Sequence, residues 1–425
     1  MSTLTDPPSP SFRLSQLIYD TRYRSITIQV VALILIIAGF SWLINNTIQN
    51  LENLGKDFDF GFLSSPAGYD INQMLIEYDN QMSHGRAALV GILNTLLLAF
   101  IGCIAATILG VIAGVLRLSK NWVVNKLMSV YVEGFRNVPL LLWIIFIFAI
   151  LSESLPQPRD FRGDEPEASM ILFDSVAITG RGTYVPRIAF TNSISGNEAV
   201  APQEDLTPVA SGWSDWLLIF GVLAASLVGI RFLRKRADRI QEATGDRPNT
   251  LYASLGLLIV PVGLVLFFLG ATIVQPYLRG FNFTEGVFMR NSFLAMLLAL
   301  SLYTGAFIAE IVRAGILAIS KGQTEAAYAL GIQPSRTMNL VILPQAMRVI
   351  IPPLISQYLN LTKNSSLALA VGYMDVRSTL GGITINQTGR ELEGMLLLGG
   401  FYLVLSLLIS AVMNFYNTST QLKER

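Results

Sequence analysis

Gly322 to Ala346 reads GQTEAAYALGIQPSRTMNLVILPQA. It is the longest piece of non-spanning sequence in the apolar C-terminal half of the chain, and it lies between two hydrophobic segments of membrane length. Yet it is composed like a soluble docking element. Glu325-Ala326-Ala327 opens a short run of good helix formers, with Thr324 placed to cap it. Gly331 stands where a helix of that length needs a left-handed residue at its end. Pro334 suits the first turn of a second helix, which Pro344 then interrupts. A helix of roughly seven residues is marginal alone in water. Something must hold it, either the rest of this chain or another protein.

Composition sets the class around this stretch. Of 425 residues, 52% are hydrophobic and only 14% charged, which excludes an ordinary soluble domain. Several runs reach the roughly 20 apolar residues that cross a bilayer. A net charge of +1 gives no basis for nucleic-acid binding. One cysteine, Cys103, and one histidine, His84, exclude a disulfide framework and argue against a Cys/His metal site. Cys103, inside an apolar run, reads as a small packing residue, and His84 as a polar residue at a loop end. About 24 polar residues precede the first apolar run and no small-residue cleavage pattern follows it, so the first span is expected to stay in the membrane.

Taken in order, residues 1–24 form a polar tail with Pro7, Pro8, Pro10, Arg13, Arg22 and Arg24, placed in the cytoplasm by its positive charge. The first span covers 25–44. Residues 45–85 lie outside, with Phe58, Phe60, Phe62, Ile71, Met74 and Leu75 marking a partly folded or interfacial segment. Within 86–155 the second span ends near Leu116, before Arg117, Lys120 and Lys126. The third runs from Leu127 to Leu155, with Glu133 and Arg136 near its start. An outer loop fills 156–212, with a hairpin turn expected at Gly180-Arg181-Gly182. A hairpin of two spans occupies 213–275. Its fourth span, to Ile230, is followed by Arg231, Arg234, Lys235, Arg236 and Arg239, the clearest cytoplasmic marker in the chain. Its fifth runs from Leu251 to Val274 with Pro261 inside. Residues 290–420 hold spans six (Ser292–Ile319), seven (Ile350–Val371) and eight (Met395–Phe415), with the stretch 320–348 between six and seven and an outer segment at 373–394. The expected fold is an all-α polytopic membrane protein of about eight transmembrane helices, with both termini and the opening stretch cytoplasmic.

Chemistry is sparse. Gly55-Lys56 lacks the upstream glycine and the following Ser/Thr of a phosphate-binding loop, so no nucleotide cradle is visible. No nucleophile–base cluster stands out to support a membrane-embedded enzyme. Polar groups inside spans are costly and therefore functional candidates. Glu310 and Arg313, three residues apart on span six, can pair. Span seven carries Pro352, Pro353, Gln357 and Asn360, then Lys363-Asn364-Ser365-Ser366. The two prolines would loosen its start, and an interrupted helix with free N–H groups beside a lysine can meet a carboxylate. The plain alternative is a kinked helix whose polar residues satisfy one another.

The opening stretch resembles the cytoplasmic loop signature of ABC importer permeases: E-A-A, three residues, Gly, nine residues, then I-x-L-P. Here these are Glu325-Ala326-Ala327, Gly331 and Val341-Ile342-Leu343-Pro344, with Val341 in place of the usual Ile. The runs around Ala309–Gly315, Lys321-Gly322-Gln323, Leu343–Ala346 and Lys363–Leu367, with Asn94-Thr95 and Arg136–Leu140, resemble the histidine-permease-type branch, which moves polar amino acids. Arg181–Pro186 looks like the general L-amino acid permease subgroup. The resemblance implies a five-helix importer core built from spans two, three, six, seven and eight, plus an extra N-terminal span and an inserted helical hairpin. It implies that Glu325, Ala326, Ala327, Gly331, Leu343 and Pro344 couple to an ATP-binding subunit, present in two copies. ATP and Mg would be used there, and this chain would bind no cofactor. It also implies a second related permease or a second copy of this one, an extracytoplasmic amino-acid-binding protein, and a place in the bacterial inner membrane. Lys363, Asn364, Ser365, Ser366, Gln357 and Glu310 would line the substrate pathway. The branch often has Asp after the lysine, and Asn364 removes that counter-charge for cationic cargo. The rival reading is an ion-coupled secondary amino acid transporter, which the polar residues of span seven serve equally well; no matching broken segments in two halves support it.

Overall fold

A computed structural model describes residues 16–53, 55, 58–163, 165–195 and 208–420. Pro7, Pro8, Pro10, Arg13, Lys56, Lys423 and Arg425 lie outside the described residues.

Among the described residues seven helices are long and apolar enough to cross a membrane, or eight when one bent pair is counted as a span. The first, α1 (Thr21–Asn53), is 33 residues long and continues nine residues past the expected end at Ile44. None of its apolar window is buried. Residues 58–83 then fold back onto the bundle. Phe62 and Ile71 are buried, whereas Phe58, Phe60, Met74 and Leu75 face outward. Helix α2 (His84–Leu116) starts at Ser83, whose side chain accepts from the Arg86 amide.

The third span is not one straight helix. It is α3 (Trp122–Asn137) and α4 (Leu140–Glu153), bent by 109°. Asn121 caps α3 through the amides of Val123 and Val124, at 2.9 and 3.3 Å. The break follows from Pro139, which holds Val138 in extended conformation and cannot donate a helical hydrogen bond. Glu133 and Arg136 therefore lie on α3, before the bend.

Helix α5 (Trp213–Thr244) runs unbroken through the arginine cluster, well past Ile230. Helix α6 (Leu251–Phe268) stops short of the expected Val274. The residues after it form strands, because Ala271–Val274, with β-branched Thr272, Ile273 and Val274, pairs with the outer loop. The expected hairpin at Gly180-Arg181 is present as β1 (Ala177–Thr179) against β2 (Gly182–Val185). β3 (Arg187–Phe190) pairs with β4 (Ala271–Val274), β5 (Tyr277–Arg279) with β6 (Asn282–Thr284), and β7 (Val287–Arg290) with β2. This small β cap feeds directly into α7.

Helix α7 (Asn291–Leu317) is the bundle's centre, two-thirds buried along its apolar window. Its Met296, Ala299, Leu300 and Ile308 pack with Leu98 and Ala106 of α2 and Leu140 and Ile144 of α4. α2 and α7 approach backbone to backbone. A Cβ on Gly114 would stand 2.6 Å from the carbonyl oxygen of Ala309 and 2.9 Å from Cβ of Val312. Small residues that permit such contact stand in for the hydrophobic drive that lipid does not provide. After α7 come α8 (Lys321–Ala329) and the long α9 (Pro334–Val371). In the expected outer segment, residues 376–388 are helical and packed, and α10 (Glu391–Thr420) follows.

Candidate functional site

The loop between α7 and α9 occupies one end of the bundle, opposite the β cap. Helix α8 begins at Lys321, so Ser320 and not Thr324 is its N-cap residue. The helix has nine residues. Ala327 is its buried anchor, while Glu325 and Ala326 are exposed. Gly331 adopts φ +73°, the left-handed conformation its place in the sequence demanded. The turn it makes lets the amide of Gly331 reach Tyr328 O at 2.9 Å and that of Ile332 reach Ala327 O at 3.0 Å. A Cβ built on Gly331 would meet nothing within 4 Å, so within this chain conformation alone asks for glycine.

Pro334 is the first-turn residue of α9, as expected. Pro344 does not interrupt that helix. A π-helical turn at Met338–Ile342 precedes it, and Leu343 donates its amide to Met338 O, five residues back. Widening the helix there makes room for a ring that would clash with a carbonyl four residues earlier. Leu343 and Pro344 are exposed. Gln345 Nε2 donates to Gln323 Oε1 at 3.4 Å and ties α9 back to α8. The chain thus holds the short helix on its inner side. Its outer side carries Glu325, with Leu330, 80% exposed, just past its end and Leu340 of α9, 68% exposed.

Glu310 lies two turns from the loop end of α7, inside a charge network. The expected pair is present: Arg313 Nη2 donates to Glu310 Oε1 at 2.7 Å, and Nε to Oε2 at 3.3 Å. Arg117, at the end of α2, also donates to Glu310 Oε2, and its other nitrogen stands 3.8 Å from Glu133 of α3. Three helices are stitched at this end.

Lys363 lies near the other end of α9, so the structure does not bring it together with Glu310. The prolines do not loosen the helix there either. α-Helical geometry continues from Leu343 through Pro352 and Pro353 to Asn364, and changes to a 3₁₀ turn at Ser365–Val371. Ser365 is buried and its hydroxyl donates to Thr362 O at 2.7 Å. Asn364, Ser366 and Gln357 are half-buried, and Lys363 is exposed. Ser356, Asn360 and Lys363, spaced four and three apart, share an exposed face. That polar face on a membrane-length helix is unlike a lipid-facing surface. Ser356 is the member a residue-by-residue reading overlooks; the spacing from Asn360 and Lys363 is the signal that finds it.

Two further features come only from the structure. Asn94 and Thr95 dock the 373–378 segment onto α2: Asn94 Nδ2 donates to Met374 O at 2.9 Å, Thr95 Oγ1 accepts from Val376 N at 3.0 Å, and Tyr373 OH donates to Asn94 O at 2.9 Å. His84 stands where the loop meets α2, as expected, and is buried there, its Nδ1 hydrogen-bonded to Thr384 Oγ1 at 3.0 Å.

Residues 106–421 match the family described as binding-protein-dependent transport system inner membrane component. The chain belongs to that family. It is a multi-pass inner-membrane permease. It is 57% identical over its full length, and the relative's, to the glutamate/glutamine/aspartate/asparagine transport system permease protein BztB of Rhodobacter capsulatus. It is 41% identical to the general L-amino acid transport system permease protein AapQ of Rhizobium johnstonii, over 98% of this chain and 96% of that one. A solved structure described as an amino acid ABC transporter with histidines matches at TM-score 0.42 and 17% identity, over 79% of this permease and 95% of that chain. Family membership leaves the ion-coupled secondary transporter without support.

Proposed function

We propose that this permease carries polar L-amino acids, those with acidic and amide side chains among them, into the cytoplasm by alternating access. ATP with Mg is hydrolysed on two copies of a separate ATP-binding subunit. A binding protein delivers the cargo on the β-cap side, and the loop end and both termini face the cytoplasm. A second permease, related or identical, completes the pathway.

The observation that carries this reading is the loop. α8 is anchored inward by Ala327 and by the Gln323–Gln345 bond, and presents Glu325, Ala326 and Leu330 outward. An element fixed on one side and open on the other can take up a partner's rigid-body motion and pass it to α7 and α9. Glu325 offers a charge to the partner, Leu343 and Pro344 complete the contact, and the left-handed turn at Gly331 sets the orientation in which α8 meets the partner. The names of the two full-length relatives support the cargo class. Within the bundle, the exposed face of α9 supplies an ammonium at Lys363 for the substrate carboxylate, with Gln357, Asn364, Ser365 and Ser366 nearby in sequence. Glu310 is better suited to hold α2, α3 and α7 in register than to touch cargo.

Purification with the ATP-binding subunit that accompanies the permease, followed by ATPase measurement with the binding protein across an amino acid panel, tests the reading. Stimulation by acidic or amide amino acids is expected; no stimulation by any amino acid refutes the cargo claim.

A further inference from the structure

The inserted hairpin α5–α6 has no role in the transport account, yet its tip is built with care. A cavity of about 580 Å³ opens between the two helices, lined by Arg234, Arg247, Pro248, Asn249, Thr250, Leu251 and Ser254. Ser254 is 9% exposed, and its hydroxyl is buried with no hydrogen-bond partner in the chain. The first turn of the 18-residue α6 faces the same cavity. Thr250 makes no side-chain capping bond there; the Leu251 amide is taken by Asn249 Oδ1 at 2.9 Å and the Ser254 amide by Thr250 O at 2.8 Å. The remaining amides of that turn have no acceptor within the helix, and such an end favours anions. Arg247 also reaches Asp238 Oδ1 at 2.8 Å, a pair in which both side chains are about half exposed. Residues 231–247 still carry six basic side chains against Asp238, Glu242 and Asp246.

Depth decides what anion this is. An 18-residue helix rises about 27 Å, close to the roughly 30 Å of a bilayer's hydrocarbon core. Both ends of α6 therefore sit at headgroup level. Along α5, Arg234 follows the exposed Trp213 by 21 residues, a rise of about 32 Å, which sets it at the same level. Tyr252, 79% exposed beside the cavity, is the kind of aromatic that marks this interface.

We propose that the tip of the α5–α6 hairpin binds the phosphate of an anionic phospholipid headgroup. Arg234 and Arg247 supply the charge, the first turn of α6 the backbone donors, and the Ser254 hydroxyl the inner donor. Acyl chains run down the apolar faces of the two helices, so the ligand comes from the leaflet on the loop side and not from free phosphate.

The test is native mass spectrometry of the full-length permease complex released from vesicles of phosphatidylglycerol and phosphatidylcholine in equal parts. Retention of phosphatidylglycerol over phosphatidylcholine is expected. The double variant Arg234→Gln, Arg247→Gln should lower that retention about tenfold or more. Ser254→Ala, which leaves the surface charge untouched, should also lower it. Arg236→Gln, outside the cavity, should leave it unchanged. Undiminished retention in the double variant overturns the site. An equal loss in Arg236→Gln overturns it in favour of diffuse charge. Displacement of the lipid by inorganic phosphate at matched concentration overturns the lipid assignment.

Discussion

Replacing Gly331 isolates one physical term in the coupling loop. The residue holds φ +73°, and an added Cβ meets nothing within 4 Å, so Gly331→Ala introduces no clash inside the chain. Its whole intramolecular cost is that of an L-residue in the left-handed region, about 1–2 kcal/mol. α8 is nine residues long, and helices that short have little stability of their own to spare. A loss of 1–2 kcal/mol is a factor of about 5–30 in the population of the closed turn. The turn's two bonds, Gly331 N to Tyr328 O and Ile332 N to Ala327 O, are what orient α8. Substrate-stimulated ATPase of the assembled transporter should fall by about that factor, with membrane insertion unchanged. Asn tolerates the left-handed region, so Gly331→Asn should recover most of the activity. An alanine variant as active as the wild type refutes the reasoning. An asparagine variant as weak as alanine refutes its conformational basis, and moves the requirement to the space a partner occupies.

Further consequences concern the bundle. Glu310→Gln leaves Arg117, whose side chain is 12% exposed, with only the Glu133 carboxylate at 3.8 Å where α2 meets α7. The thermal midpoint of the detergent-solubilised protein should fall, at a cost of roughly 1–3 kcal/mol, while apparent substrate affinity holds; an unchanged midpoint argues against the network. Gly114→Ala drives a methyl group to 2.6 Å from Ala309 O and should cost about 1–3 kcal/mol by the same melting assay. Lys363→Ala should raise the half-saturating concentration of an acidic amino acid in vesicle uptake by about tenfold, as expected for one lost charge-assisted bond. If that concentration does not move, the exposed face of α9 does not line the path.

Much of this architecture is legible in the residues, and the departures have physical causes. Apolar runs locate the spans because a bilayer admits little else. Gly331 and Pro334 announce their conformations locally, and both take them. Pro344 was harder: a proline ordinarily ends a helix, but a π turn absorbed it, and a π turn has no sequence signature. Pro139 is the reverse case, since the apolar run across it hides a 109° bend. The strands at 271–290 escaped because Ala271–Val274 extends the hydrophobicity of α6 and differs only in a partner 81 to 87 residues earlier in the chain, at Arg187–Phe190. At the candidate site, the conformations of Gly331 and Pro334 were readable locally, while the grouping of Arg117 with Glu310 depends on two helix ends meeting. No local pattern encodes that.

Transport by this permease requires that α8 take its input from an ATP-hydrolysing partner. The direct measurement is amino acid uptake and ATPase in proteoliposomes carrying the permease with its ATP-binding subunit, comparing wild type with Glu325→Lys. Glu325 is exposed and outside the packed core, so the charge reversal should leave the fold intact. Glu325→Lys should lose both uptake and substrate-stimulated ATPase, and lose the partner on purification. Full uptake by a correctly inserted Glu325→Lys permease would contradict that requirement.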